Sequence, residues 1–431
     1  MKRRSVLRTA IVASAAAGLG GIATRPAFAG ESKKDETTTY RDIVMRRWGA
    51  TGAAYSAGTF SGLALSGVNL ALATPAGQTT YTDPHTGVTQ TYDYGTWTSP
   101  VVAPGFGAQE IIASWTAATP GGSWVQIELQ GVTALGNTTK WYVLGRWAAD
   151  DTAFKRTSLS LQGDTDGFVS IDTFVAYEGH ELVSWQLRVT LLRPAGSADA
   201  PTLRAVGAMA SHLSAPPKKW TVSTPQAAQG VVLDVPGFSQ SIHSGQYPEF
   251  DNGGQAWCSP TSTSMVMGYW NSLPPAADYA WVDPSYADPW VDHAARHTYD
   301  YNYDGCGNWP FNTAYAGRYG LDGFVTRLRS LNEAELFIAA GLPLITSLSF
   351  KKGQIPPLTY GTDGHLMVLA GFAANGDPIV NDPASASDAV VRKTVERAAW
   401  EAAWQSTSRG VVYVVTPPGT TLPTPPAQAN W

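Results

Sequence analysis

The chain has 431 residues, 44% hydrophobic and 15% charged, with 43 Gly, 29 Pro and 16 Trp. That apolar content suits two or three domains of roughly 150 residues each and excludes a wholly disordered polymer. The formal charge is −5; the first 29 residues hold five of the 29 basic groups and no acid, so the remainder is net −10, a balance that repels nucleic acid and anionic membranes.

Lys2, Arg3, Arg4 and Arg8 form a basic head, followed by a small-residue apolar stretch from Thr9 to Ala23 and the A-x-A pattern Ala27-Phe28-Ala29. Residues 1–29 therefore read as an export signal cut before Gly30, and the paired arginines ahead of Val6-Leu7 resemble the twin-arginine type. The apolar run is too short and glycine-rich for a bilayer span, and no later segment reaches the roughly 18 uninterrupted apolar residues that a span needs. The mature chain is thus expected to be secreted and free of the membrane.

A polar, charged leader runs from Glu31 to Arg47, and residues 48–213 then read as strands. Val125, Ile127 and Leu129 alternate with polar neighbours, as do Trp185, Leu187, Val189 and Leu191. Period-two alternation between Gly, Asp and Pro clusters predicts an all-β sandwich of jelly-roll type. Trp97, Trp115, Trp124, Trp141, Trp147 and Trp185 offer flat faces that could stack on cell-wall or other polysaccharide, or fill the core.

Residues 214–228, from Ser214-Ala215-Pro216-Pro217 onward, form a polar, Pro-rich linker. Residues 229–416 read as α+β. A helix is expected from near Pro260 to Asn271, a capping box Ser330-Leu331-Asn332-Glu333 opens a helix ending before Gly341, and a last helix spans Val395 to Gln405. Strands are expected at Leu344–Phe350, His365–Phe372, Ile379–Asp382 and Val411–Val415. The Pro/Thr-rich tail, 417–431, is expected to lack fixed structure.

Pro260 suits a first helical position and Ser259 an N-cap, which puts Cys258 at the mouth of a helix, where N–H groups and the dipole favour a thiolate. His365 opens an apolar strand that returns through Ala373–Gly376 to Asp382, so a carboxylate comes back near an imidazole, the geometry that orients a general base. The competing reading joins Cys258 and Cys306 in a disulfide within a non-catalytic extracellular binding protein. Asp300-Tyr301-Asn302-Tyr303-Asp304-Gly305 opens like a calcium loop, but Phe311 stands where the bidentate Glu belongs. His293 and His297 lie one helical turn apart without the metalloprotease Glu between them.

Val235-Pro236-Gly237-Phe238-Ser239-Gln240, Trp257-Cys258-Ser259-Pro260-Thr261-Ser262, Gly364-His365-Leu366-Met367-Val368 and Asn381-Asp382-Pro383-Ala384 together resemble one family. It is the double-glycine (bacteriocin-processing) peptidase-like branch of papain-fold cysteine peptidases, in a secreted actinobacterial type with an N-terminal β-rich domain. The resemblance covers residues 229–416. It implies a papain-like domain in which Cys258 is the nucleophile, His365 the general base and then acid, and Asp382 the orienting residue. It further implies an oxyanion donor, matched by Gln240 through its sequence context, with Gln255 the closer rival in sequence. Ser259 stands where the family usually has glycine. The implied enzyme is a monomer that needs no metal or other cofactor and takes a peptide or protein substrate.

Overall fold

The computed structural model describes residues 41–217 and 219–431, so the export signal assigned to residues 1–29 lies outside the described residues. Among the described residues, no helix is long and apolar enough to cross a membrane. The N-terminal half is built of strands β1 (Arg41–Gly49), β2 (Thr59–Ser61), β3 (Leu63–Ser66), β4 (Asn69–Leu72), β5 (Gly77–Thr82), β6 (Thr89–Thr98), β7 (Glu110–Ala118), β8 (Trp124–Thr133), β9 (Tyr142–Trp147), β10 (Gly167–Ser170), β11 (Thr173–Ala176), β12 (Leu182–Pro194) and β13 (Thr202–Leu213). They pair antiparallel into two sheets. One runs β10-β11-β7-β13-β4-β3 with β1 also on β13; the other runs β2-β6-β12-β8-β9 with β5 also on β6.

The alternation read in the sequence has a direct physical outcome. Val125, Ile127, Leu129, Trp185, Leu187, Val189 and Leu191 from the second sheet meet Ile111, Ala113, Trp115, Val206 and Ala208 from the first in one apolar core. Five of the six tryptophans considered for stacking on sugars are filled into the interior: Trp97, Trp115, Trp124, Trp147 and Trp185 are each at most 2% exposed. Trp141 is half-buried, with the Arg188 guanidinium 4.2 Å from its ring centroid. Stacking of a sugar on those five indoles is therefore excluded, because a buried indole has no face to offer a ligand.

The C-terminal half holds α1 (Cys258–Tyr269), α2 (Pro289–Thr298), α3 (Trp309–Arg318), β14 (Asp322–Arg327), α4 (Leu331–Ala339), β15 (Leu344–Phe350), β16 (Thr362–Phe372), β17 (Pro378–Asn381), β18 (Arg392–Thr394), α5 (Arg397–Thr407) and β19 (Val411–Thr416). Its sheet is antiparallel in the order β14-β19-β15-β16-β17-β18. The expected capping box does not form: the helix starts at Leu331, Ser330 makes no side-chain cap, and Glu333 Oε2 instead accepts from Arg329 N at 2.8 Å.

The two halves share their interiors. Ile43, Met45, Ile112 and Met209, on the outer face of the first sheet, belong to the C-terminal core, while Phe311 and Ala314 of α3 belong to the N-terminal one. Polar contacts reinforce the seam. Arg204 grips Asp322 through two nitrogens at 2.8 and 3.2 Å, Arg296 Nη2 lies 2.8 Å from Asp151 Oδ1, and Val325 N donates to Ser114 Oγ at 2.9 Å.

Two further expectations are corrected. The polar leader becomes strand from Arg41, because β1 pairs residue for residue with β13 from Arg41↔Leu213 to Gly49↔Ala205. The 417–431 tail is not loose. Asn430 is fully buried, donating from Nδ2 to Arg327 O at 2.7 Å and to Glu333 Oε2 at 2.9 Å; Ala429 O accepts from Met45 N, and Trp431 packs against Phe337. Composition points to disorder, but a few specific hydrogen bonds and one aromatic anchor suffice to order a Pro-rich segment.

Candidate active site

α1 begins at Cys258 itself, two residues earlier than the N-cap reading requires, with Trp257 at the N-cap. Ser259 is not the cap: its side chain turns inward, where its Oγ lies 2.9 Å from Tyr413 Oη on β19. The run Ser259–Ser264 is entirely buried, and the hydroxyls of Ser259, Ser262 and Thr263 tie the helix to its surroundings. Ser262 Oγ donates to Leu366 O at 3.1 Å, next to His365 on β16, and Thr263 Oγ1 donates to Asn312 Oδ1 at 3.2 Å on α3. These bonds explain why a helix so rich in Ser and Thr is stable, and they fix Cys258 relative to β16. Cys258 is half-buried and free.

β16 and β17 return the chain as expected, with Val368 opposite Asn381. Asp382 then sits just beyond the strand end, and its Oδ1 is 2.9 Å from His365 Nε2. Cys258 also lies close enough to the imidazole to favour its protonated form. Burial by itself depresses the His365 pKa; the hydrogen bond to Asp382 and the nearness of Cys258 outweigh it and raise the pKa to about 10. Burial likewise pushes Asp382 up, but the hydrogen bond and charge of His365, the Lys393 ammonium and the Ala384 N–H bring it down to about 2. The ring is thus an imidazolium at neutral pH, held between a carboxylate and a sulfur.

Both shifts couple stability to pH. Asp382, held low, contributes stability that is present above the ordinary carboxylate value of about 4 and is lost as pH falls through about 2. His365, held high, contributes fully below about 6.5, and that contribution is lost as pH rises through about 10. The melting-temperature advantage of the wild-type chain over His365→Gln is therefore expected to shrink by about 2 °C or more between pH 6.5 and 10. An advantage that stays flat across that window would contradict the pairing.

Gln240 is buried and its Nε2 donates to Gln255 O at 2.7 Å, while its own N donates to Pro383 O at 2.8 Å. It is thereby held between the turn before Cys258 and the residue after Asp382. Gly254 permits this approach, since a Cβ there would lie 2.3 Å from the His243 carbonyl carbon and 2.6 Å from Gln240 O. Gln255 is exposed, its amide engaged with Asn252 O at 2.7 Å and Ser244 Oγ at 3.3 Å. Of the two candidate donors, only Gln240 is built into the interior.

The structure adds residues that the sequence did not single out. Tyr360 Oη donates to Asp382 Oδ1 at 3.0 Å, and Lys393 Nζ lies 3.4 Å from Asp382 Oδ2, a charge contact without a hydrogen bond. Tyr360 lies in a Pro-rich segment without periodicity and Lys393 on a three-residue strand, so no local signal marks either. Cys306 is fully buried, its Sγ facing Ala295 O at 3.3 Å, and burial pushes its thiol pKa up. Both cysteines are free. The disulfide reading is therefore overturned.

Profiles of known families divide the chain at the same seam. The Peptidase C39 N-terminal domain matches residues 44–211 and the Peptidase C39-like family matches residues 232–412. Both matches are to C39 peptidase families, one for each half of the chain. Cys258, His365, Asp382 and Gln240 all fall within the C39-like segment. No curated protein matches the chain. Among solved structures, a double glycine motif protease from an AMS/PCAT transporter, in complex with its leader peptide, is similar at 15% identity, covering 46% of this chain and 99% of that one with a TM-score of 0.21. The kappa-carrageenase from Pseudoalteromonas carrageenovora, with an oligotetrasaccharide of kappa-carrageenan, is similar at 9% identity, covering 43% and 100% with a TM-score of 0.22.

The remaining motifs of the chain serve the seam between its halves. Asp300 is fully buried, and its oxygens accept from Ser158 N, Asn302 N, Tyr303 N and Asn308 Nδ2 at 2.9–3.2 Å. A carboxylate so occupied by N–H donors acts as a turn and inter-unit anchor. His293 and His297 lie with ring centroids 4.0 Å apart and planes tilted by 37°, but their Nδ1 atoms face Tyr315 Oη and Ala149 O.

Proposed function

We propose that the chain is a secreted cysteine hydrolase that cleaves peptide or amide bonds with Cys258, His365 and Asp382, in a papain-like domain behind an N-terminal β-sandwich. The export signal of residues 1–29 supports secretion by the twin-arginine route, and the chain acts as a monomer on a peptide or protein substrate. The observation that carries this reading is one buried imidazole hydrogen-bonded to a buried carboxylate, with the free sulfur of a helix-initiating cysteine near enough to favour its protonated form.

The Cys258 proton already rests on His365, and the thiolate of this ion pair attacks the acyl carbon. The oxyanion meets the Cys258 backbone N–H and the Gln240 side-chain amide; one such donor is worth on the order of 3 kcal/mol. Collapse breaks the C–N bond as His365 returns the proton to the leaving amine. Water, deprotonated by His365, then displaces the sulfur and releases the acid product.

Alkylation tests the reading without knowledge of the substrate. Iodoacetamide is expected to label Cys258 at least about 100-fold faster than Cys306, since only the former is both accessible and paired with an imidazole. Asp382→Ala is expected to slow the Cys258 reaction about tenfold or more. Equal, slow labelling of both thiols in the wild-type chain would remove the basis for a nucleophile.

A further inference from the structure

Asp382 is asymmetrically loaded. Its Oδ1 takes three donors, His365 Nε2 at 2.9 Å, Tyr360 Oη at 3.0 Å and Ala384 N at 3.0 Å, whereas Oδ2 makes no hydrogen bond and meets only the Lys393 ammonium at 3.4 Å. Tyr360 comes from the mostly exposed segment 351–361 between β15 and β16, which Ile355 and Leu358 anchor in the core. Its ring is clamped edge-on between Phe350, 5.2 Å away, and His365, 5.9 Å away at 86°. A half-buried tyrosine hydroxyl needs a partner, and any backbone carbonyl would serve. This one donates to the same oxygen that holds the imidazole.

We propose that Tyr360 is a positioning residue that sets how tightly Asp382 holds the protonated His365. The proposal rests on the reading of Cys258 and His365 as a reacting pair. A neutral donor on Oδ1 withdraws charge from the atom facing the ring, so the ring is oriented without being locked as a permanent cation and can return its proton to a leaving group. The charged and titratable groups around this carboxylate are His365, Tyr360 and Lys393, with Cys258 on the far side of the ring. Burial and the Asp382 charge push the Tyr360 pKa up, so the hydroxyl remains the donor. The ring edge also fixes the plane of the imidazole.

The test is the pH profile of Cys258 alkylation by iodoacetamide in the full chain, in wild type, Tyr360→Phe and Tyr360→Ala. In wild type, an upper inflection marks loss of the His365 proton. Tyr360→Phe keeps the ring and removes the hydroxyl, and is expected to move that inflection upward by about half a pH unit. Tyr360→Ala is expected to move it in the same direction and, having lost the clamping ring, to lower the labelling rate about threefold as well. A Phe profile that superimposes on wild type overturns the role of Tyr360, whether or not the melting temperature falls. A wild-type profile with no such inflection, and with Cys258 no faster than Cys306, overturns the underlying pair instead.

Discussion

Replacing Cys258 by Ala is expected to abolish hydrolysis of any peptide that the wild-type chain cleaves, a loss of roughly 10⁴-fold or more. Nucleophilic catalysis fails altogether without the sulfur, because His365, Asp382 and Gln240 can orient and stabilise but cannot form the covalent intermediate. The same change is expected to move the melting temperature little. Cys258 is half-buried at the first position of α1, a place where Ala is well tolerated, and the hydroxyl ties from Ser259, Ser262 and Thr263 that hold the helix remain. A peptide library cleaved side by side by the two proteins gives the measurement. A variant that retains a tenth or more of the wild-type rate would exclude Cys258 as the nucleophile.

The largest effect on stability is expected at the seam. Arg156, on the loop after β9, is fully buried, and its guanidinium donates to Ala148 O at 3.0 Å, Arg296 O at 2.7 Å and Ala149 O at 3.3 Å. It also supplies positive charge beside Asp151, which Arg296 and Tyr301 hold from the other half. Arg156→Leu removes the cation while leaving carbonyls and a nearly inaccessible carboxylate behind, a class of change that costs about 3–5 kcal/mol. For a chain of this size that corresponds to a fall of about 4–6 °C in melting temperature. Calorimetry should show one transition shifting as a whole, because each half buries residues of the other. A melting temperature unchanged by the substitution, or an N-terminal transition left at its wild-type temperature, would refute the account.

Much of the site was legible because its signals are local. Cys258-Ser259-Pro260 announces a helix start, and the spacing from His365 through Ala373–Gly376 to Asp382 announces a hairpin, so both pairs of contacts follow from short stretches of chain. Tyr360 and Lys393 were not legible: each reaches Asp382 only once β15, β16 and β18 have assembled. The Ser259 cap was misread because a buried tyrosine, Tyr413, competes for the same hydroxyl. Helices α2 and α3 escaped notice in a stretch crowded with Asp, Pro and aromatic residues, where each is only ten residues long. The unbroken burial of Ile111 to Ala117 within β7 follows from covering its sheet on both faces, which alternation alone does not announce.

That double covering limits how far the architecture is modular. α3 leans Phe311 against Trp115, with ring centroids 6.1 Å apart, and Gly145 leaves room for it, since a Cβ there would come within 3.3 Å of the Phe311 ring. A chimera that grafted the β-rich half onto another cargo would therefore carry a greasy, unmatched wound where α3 had been. Recombination between relatives would preserve solubility only if its crossover points moved that helix together with the sheet beneath it.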